Sequence, residues 1–362
     1  MALMTVRREV TTALRILLLG FGNVGRAFCE IVEEKAPLLR DLFGVEGRFV
    51  GIATRSRGCV SDPGGIDIGA LLKKESSTGR LGPAPSRGGR DAPSAVEMVQ
   101  EMDYDLLVVC TSTTIQSPEE PKSFICGGLQ RGKDVITSNK GPLFLGYREI
   151  RDFAAANGAL FLFEAAVMGG TPFFSFARHC LTGSEVLSCE GVMNTTSNYI
   201  LDLMIAGASF DDALLDARRK GYAEADPTFD LEGWDSAVKA SIIAQVLMGA
   251  PPVSLEDIEV QGINQIKTRL LLEAAHSGGA LRLVSRVEKG KDGVAITVRP
   301  EVLSPSNPLS RVHGATNGVL FLTDTLGEIF VAGGGIGPRH TAFSLLRDLI
   351  EVACSRKGGP EC

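Results

Sequence analysis

Ile16-Leu-Leu-Leu-Gly20-Phe-Gly22-Asn-Val-Gly25 is the stretch on which the fold turns. Four consecutive apolar residues that end at glycine read as a strand buried on both faces, the pattern of a parallel sheet. Asn23–Glu33 then has helical spacing, with Val24, Phe28 and Ile31 on one face. Between them lies G-x-G-x-x-G, in the strand–turn–helix context that gives this motif its weight. Gly20 permits the tight turn, Gly22 lets a pyrophosphate approach the backbone, and Gly25 lets helix and strand pack closely. A bound phosphate then meets the positive end of the helix. Asn23 and Val24, the first helical residues, belong to the same dinucleotide site.

Downstream segments extend this unit. Arg48–Thr54 is a second strand, and Asp105–Cys110, Asp134–Thr137 and Leu160–Phe163 are further short apolar runs. Helical patterns at Pro121–Arg131 and Arg148–Ala156 alternate with them, which predicts a parallel sheet. Ser76–Ser94, rich in Gly, Pro, Ser and Arg, reads as a surface loop, with a lid as the alternative. After Gly170 the texture becomes α+β: a strand at Glu185–Met193, helices near Asn198–Ala206, Asp211–Lys220 and Leu231–Leu247, then strands at Leu281–Val287, Val294–Val298 and Val319–Thr323. Ala332-Gly-Gly-Gly-Ile-Gly337 reads as a glycine-rich turn that feeds a final amphipathic helix and returns the chain to the first unit. The expected class is α/β: a Rossmann dinucleotide-binding domain of residues 12–166 with 335–362, and an α+β substrate and dimerisation domain of 167–334.

Composition narrows the function. The net charge is −6 with no basic block, which argues against nucleic-acid and membrane-surface partners. No apolar run approaches the ~18–20 residues of a membrane span. The 8 cysteines are scattered without metal spacing, which suggests a reducing, cytoplasmic setting, and the 4 histidines form no zinc constellation.

The second strand ends in Thr54-Arg55-Ser56-Arg57, where NAD sites usually carry an acid for the ribose 2′-hydroxyl. Guanidinium groups there match a 2′-phosphate, so Arg55 points to NADP(H), with NAD(H) also possible; an exposed basic turn is the plainer alternative. Thr111 and Ser112 stand at one strand end, with Thr113 beside them, and could hydrogen-bond the nicotinamide half. Lys140 follows another strand and could point into the crevice outside the sheet.

The second chemistry-bearing stretch is Gly221-Tyr-Ala-Glu224-Ala-Asp226-Pro-Thr-Phe-Asp230-Leu-Glu-Gly-Trp-Asp235-Ser-Ala-Val-Lys239. Asp226-Pro227 makes a turn and Asp230 is suited to cap the next helix. Asp235 and Lys239 lie four apart on one helical face, so the acid could hold the amine beside a reacting oxygen. Glu224 and Asp230 could receive a substrate ammonium. On spacing alone, a capped, salt-bridged surface helix is the plainer reading.

This stretch resembles the signature of homoserine dehydrogenases, with its Ala, Gly, Asp-Pro, Asp, Gly, Asp and Lys positions filled at the family spacing. Other blocks agree, in order. Val135-Ile-Thr-Ser-Asn139-Lys140 is similar to "VTxNK", and Phe163-Glu164-Ala-Ala-Val167-Met-Gly169-Gly170-Thr-Pro172 to "EAxVGGxxP". Gly191-Val-Met-Asn194-Thr-Thr196-Ser-Asn198-Tyr199-Ile-Leu is similar to "GIxNGTTNYIL", and Gly335-Ile-Gly337 with Thr341-Ala342 to "GAG…TA". The resemblance runs from Leu17 to Ile350 and implies NAD(P)-dependent interconversion of L-homoserine and L-aspartate 4-semialdehyde. It implies that Lys140 and Lys239 flank the reacting carbon, with Lys239 as proton donor and Asp235 beside it. Glu224, Asp230, Asn194 and Thr196 would bind substrate, and Gly337 would join the cofactor site. A Na+ or K+ ion would sit at Glu164, Val167, Gly169 and Thr171, and the second domain would form a homodimer through its sheet. Two positions depart from the family: Thr195 replaces its glycine, and Met168 interrupts the cation turn. Neither an aspartate kinase nor a C-terminal ACT domain is expected.

In the reaction so implied, a hydride reaches the aldehyde carbon while an ammonium neutralises the growing oxyanion and gives up its proton. Lysines serve as such acids when burial and a second cation lower their pKa. The rival readings are an NADP-dependent dehydrogenase of another amino or hydroxy acid, an acylating semialdehyde dehydrogenase using Cys110, and a non-catalytic NADP-binding sensor.

Overall fold

The computed structural model describes residues 12–82, 93–112, 115, 117–334 and 337–356. The chain divides into two compact units. One is drawn from Met1–Leu143, Arg148–Ala166 and Gly337–Cys362, the other from Phe144–Tyr147 and Val167–Ile336.

The first unit is built on β1 (Thr12–Leu19), β2 (Val45–Thr54), β3 (Gly58–Ser61), β4 (Leu106–Val109), β5 (Asp134–Thr137) and β6 (Phe161–Leu162), in the order β3-β2-β1-β4-β5-β6. All neighbours are parallel except β3, which folds back antiparallel on β2. Alternation along β1 explains its unbroken apolar run. Ile16 and Leu18 join a core with Phe28, Ile31 and Val32 of helix Asn23–Glu34 and Leu345, Leu349 and Val352 of helix Pro338–Arg356. Leu17 and Leu19 join the opposite core with Leu107, Val109, Ile125, Leu129 and Ile150. Each such side chain contributes about 1.5–3 kcal/mol when fully buried, so a polar replacement on either face would be costly. The chain returns at Pro338 because its last helix completes one of these two cores.

β2 and β3 are joined through Arg55-Ser56-Arg57, with Thr54 opposite Gly58. Gly58, just after these three residues, has φ +85, a left-handed conformation that glycine adopts at no steric cost. The expected loop Ser76–Ser94 is partly helical instead: helix Ile68–Thr78 runs through its start, and Ser94 caps helix Ala95–Glu101 in a capping box. Residues 83–92 lie outside the described residues, as do residues 1–11, Thr113 and residues 335–336.

The helix expected over Arg148–Ala156 begins at Lys140, kinks at Gly146 and ends at Ala156. The sequence hides its first turns because Gly141, Pro142 and Gly146 lower helical propensity there. Pro142, close to the start, is where a helix tolerates proline.

The second unit carries β7 (Val186–Val192), β8 (Glu259–Val260), β9 (Ala280–Gly290), β10 (Gly293–Leu303), β11 (Thr316–Thr323) and β12 (Gly327–Gly334), in the order β12-β11-β7-β9-β10-β8. It is antiparallel except where β8 pairs with β10. The supposed glycine turn at Ala332–Gly334 is in fact the end of β12, paired with Thr316–Gly318. An edge strand with no buried residue needs no apolar alternation, so the sequence offered no strand signal there. Helix Trp234–Met248 packs against β9 and β10 and is buried almost all round.

Candidate active site

In the first unit the fingerprint is fixed by steric limits. Gly20 has φ +97, and a Cβ there would lie 2.3 Å from the Cys110 carbonyl oxygen. A Cβ on Gly25 would lie 2.1 Å from the Gly20 carbonyl oxygen. Gly22 differs: it is exposed, and a Cβ would meet nothing within 4 Å. Packing of the chain itself therefore explains Gly20 and Gly25 but not Gly22. A cradle that a Cβ would fill, at a helix start, fits a phosphate-bearing dinucleotide. Gly22 precedes Asn23 and Val24 as the N-cap of helix Asn23–Glu34, without a side-chain cap.

Arg55 and Arg57, the two guanidinium groups of the hairpin, have different fates. Arg55 is exposed at the hairpin tip. Arg57 is committed: its guanidinium pairs with Glu75 at 2.7 Å and donates to the Phe21 carbonyl. At the end of β4, Thr111 and Asn139 are joined. Thr111 Oγ1 donates to Asn139 Oδ1 at 2.8 Å, and Asn139 Nδ2 donates to the carbonyls of Val109 and Thr111 at 3.2 Å. Ser112 is exposed beside them. Lys140 opens its helix, with Asn139 as N-cap. A cation at that positive helix end is locally unfavourable by roughly 0.3–1 kcal/mol. Gly337, at φ +102, stands just before helix Pro338–Arg356 and accepts from Thr341 N at 3.2 Å.

The second unit assembles the acidic–lysine cluster. Lys239 Nζ lies 2.7 Å from Asp235 Oδ2 and donates to the Met193 carbonyl at 2.7 Å. Two of its three donors are thereby aimed by fixed acceptors. Both residues are buried, at 8% and 7% exposure, so the surface-helix reading is overturned. Asn194 organises the acids. Its Oδ1 accepts from Ser197 N at 2.9 Å as N-cap of helix Thr195–Ile205, which turns its amide toward the carboxylates. Nδ2 then donates to Asp230 Oδ1 at 2.7 Å and Asp235 Oδ2 at 3.0 Å. Thr196 Oγ1 lies 2.9 Å from Asp230 Oδ2 and 2.6 Å from the Tyr222 carbonyl. Burial, and then the charge of Asp235, raise the Asp230 carboxyl from its ordinary value, against the pull of Asn194, Lys239 and Thr196.

Asp230 is not the helix cap that spacing predicted. It sits inside the short helix Thr228–Leu231, and helix Trp234–Met248 starts instead from Gly233 at φ +88. Glycine at a left-handed position sets the chain direction, leaving the carboxylate for Asn194 and Thr196. Glu224 is exposed and makes no hydrogen bond to this cluster. The departure at Thr195 is accommodated: it opens its helix, and no described non-glycine residue has positive φ. The Met193 carbonyl is the contributor that sequence reasoning missed, since a backbone acceptor has no residue signature.

Glu164 is fully buried, with its N–H donating to Asp348 Oδ2 at 2.9 Å. Val167, Gly169 and Thr171 lie in a turn where Gly169 has φ +57 and Thr171 N donates to the Met168 carbonyl at 3.2 Å. Among the described residues no group of three or more His, Cys, Asp or Glu could hold a metal ion. Cys110 is buried, and burial pushes its thiol up to about 12, which leaves almost no thiolate for acylating chemistry.

Two family models match, the homoserine dehydrogenase NAD binding domain over residues 20–164 and homoserine dehydrogenase over 172–350. A homoserine dehydrogenase of Methanocaldococcus jannaschii is 35% identical over 94% of this chain and 99% of its own length. The chain belongs to the homoserine dehydrogenase family. An NAD(+)-dependent homoserine dehydrogenase of Pseudomonas canavaninivorans is 33% identical over 94% of this chain and 96% of its own. A hyperthermophilic archaeal homoserine dehydrogenase in complex with NADPH superposes with TM-score 0.78 at 32% identity, covering 97% of this chain and 99% of that one. The homoserine dehydrogenase structure of Thiobacillus denitrificans gives TM-score 0.81 at 29% identity, over 97% and 75%. The first match begins at Gly20 of the fingerprint, and the second spans the acid–lysine cluster. Among the described residues of this family member, no helix is long and apolar enough to cross a membrane.

Proposed function

We propose that the chain interconverts L-homoserine and L-aspartate 4-semialdehyde, with NADP(H) preferred over NAD(H). The observation that carries this reading is the buried Lys239, held by Asp235 and the Met193 carbonyl at 2.7 Å each. Two fixed acceptors leave one N–H direction for a substrate oxygen. Lys239 donates the proton to the oxygen that becomes the alcohol, and takes it back in the reverse direction. Lys140 supplies the second positive charge for the developing oxyanion. Asp230, steered by Asn194 and Thr196, receives the substrate ammonium, with Glu224 as its exposed second acid. The dinucleotide, when bound, supplies or accepts the hydride. Gly20, Gly22, Asn23, Val24 and Gly25 would hold its pyrophosphate, Thr111, Ser112 and Gly337 its remaining polar groups, and Arg55 the 2′-phosphate.

Glu164 with the backbone of Val167, Gly169 and Thr171 offers only oxygen donors, which suits a hard monovalent cation such as Na+ or K+. A cytoplasmic homodimer completes the reading. β12 is a sheet edge, and Leu326 and Phe330 beside and on it are exposed at 53% and 37%, a surface suited to a second copy.

The deciding experiment is turnover of homoserine with NADP and with NAD by the purified chain. We expect both to work, NADP better, with Arg55→Ala abolishing the preference. Turnover of another hydroxy or amino acid in place of homoserine would move the chain to a different substrate. Unchanged discrimination in Arg55→Ala would remove Arg55 from the cofactor site.

A further inference from the structure

Glu75 of helix Ile68–Thr78 stands outside the site residues above, and its side chain is only 10% exposed. Both of its carboxylate oxygens are taken. Oε2 pairs with Arg26 at 2.8 Å and Oε1 with Arg57 at 2.7 Å. Arg26 comes from the helix that follows the fingerprint, Arg57 from the hairpin after β2. The fork of Arg57 has a second tooth, which donates to the carbonyl oxygen of Phe21 inside the fingerprint turn. The same guanidinium lies 6.0 Å from the Phe21 ring centroid. The Arg57 backbone is fixed too, its N–H donating to Thr54 Oγ1 at 3.0 Å.

The carbonyl of Phe21 and the N–H of Gly22 belong to one planar trans peptide, so they point in opposite directions. Whatever holds the carbonyl therefore aims the amide. Arg57 pins the carbonyl on one side, which sends the Gly22 N–H to the other. A guanidinium does this better than an ammonium because it can reach two acceptors in fixed geometry. Without Glu75, Arg57 would be a long side chain, 31% exposed, with many rotamers open to it.

We propose that Glu75 is a positioning residue for the dinucleotide site: it locks Arg57 onto the Phe21 carbonyl and so presets the Gly22 amide for the pyrophosphate. The inference rests on the reading of the fingerprint as the dinucleotide site. It assigns different tasks to the two hairpin arginines, Arg57 to the turn and Arg55 to the 2′-phosphate. The pyrophosphate is common to NADPH and NADH, so the Glu75 lock acts on both, whereas Arg55 distinguishes them.

The test is calorimetric binding of NADPH and of NADH to the full chain, alongside thermal melting. Glu75→Gln keeps the shape but removes the charge that holds two arginines. We expect both affinities to fall about tenfold, with their ratio unchanged within about twofold, and partial recovery in Glu75→Asp. Arg57→Lys keeps the charge and loses the fork, so it should show the same joint loss even if Glu75→Gln folds poorly. Arg55→Ala should weaken NADPH alone. Parent-like affinity for both dinucleotides in Glu75→Gln and Arg57→Lys overturns the proposal, as does a loss confined to NADPH. A parent chain that binds neither dinucleotide overturns the reading of the fingerprint itself, and this inference with it.

Discussion

The two units build their sites from different materials. In the first, the fingerprint is backbone, shaped by what cannot fit: Gly20 against the Cys110 carbonyl and Gly25 against the Gly20 carbonyl. In the second, the cluster is side chain, held by a buried pair between Asp235 and Lys239 and by the bridging amide of Asn194. A steric site is rigid because its atoms touch. A charged site is rigid only while every partner is present, since a buried ion that loses its partner is left uncompensated. The steric contacts at Gly20 and Gly25 should therefore fail by unfolding locally, the charged cluster by losing chemistry.

The largest expected effect probes the second. Lys239→Ala removes the proposed proton donor and should lower kcat by about 10²–10⁴-fold, the usual scale of acid–base catalysis. Single-turnover kinetics with semialdehyde would show it, and near-normal turnover would transfer the role to Lys140 or to water. Next comes a paired test of the first site. Gly25→Ala would put a Cβ 2.1 Å from the Gly20 carbonyl, whereas Gly22→Ala meets nothing within 4 Å. We expect Gly25→Ala to lose both stability and dinucleotide binding, and Gly22→Ala to keep its melting temperature and lose binding alone. Equal melting losses in both would break the distinction drawn above.

A smaller effect is expected at Asn194, which joins a helix cap to two carboxylates. Asn194→Ala should cost about 1–3 kcal/mol in chemical denaturation, and should raise KM for homoserine through the disordered Asp230. A change in stability without a change in KM would reduce Asn194 to a cap. The smallest effect is a pH dependence. Burial and the charge of Asp235 raise the Asp230 carboxyl from its unfolded value of 3.8. In the window above 3.8 the folded chain binds more protons at this group than the unfolded chain does. Its contribution to stability therefore falls as pH rises through the folded pKa. Asp230→Asn removes that penalty. It should be more stable than the parent at neutral pH, with the gain shrinking as the medium is acidified toward pH 4, while homoserine binding is weakened. A stability gain that persists unchanged at acid pH would contradict this assignment of the shift.

The sequence was legible where a constraint is local. β1, the fingerprint and the helix at Asn23 could be read because glycine sterics and alternating burial are settled within a few residues. The same locality explains the misreadings. Helix Lys140–Ala156 reads short because Gly and Pro argue against helix whatever packs around them. The end of β12, Ala332–Gly334, reads as a turn because its pairing with β11 lies in another segment. Asp230 reads as a cap because N-cap propensity cannot show that Gly233 takes over the helix start.

Composition and spacing alone determined which residues carry charge, which turns demand glycine, and that Asp235 and Lys239 share a helical face. Only the tertiary structure decided that this face is buried, that Asn194 bridges the two acids, that the Met193 carbonyl aims the amine, and that Arg57 serves the turn through Glu75. The reason is physical: a charge has the same formula in water and in a protein interior. Its energy, and so its use, depends on the solvent it has lost and the partners that replace it.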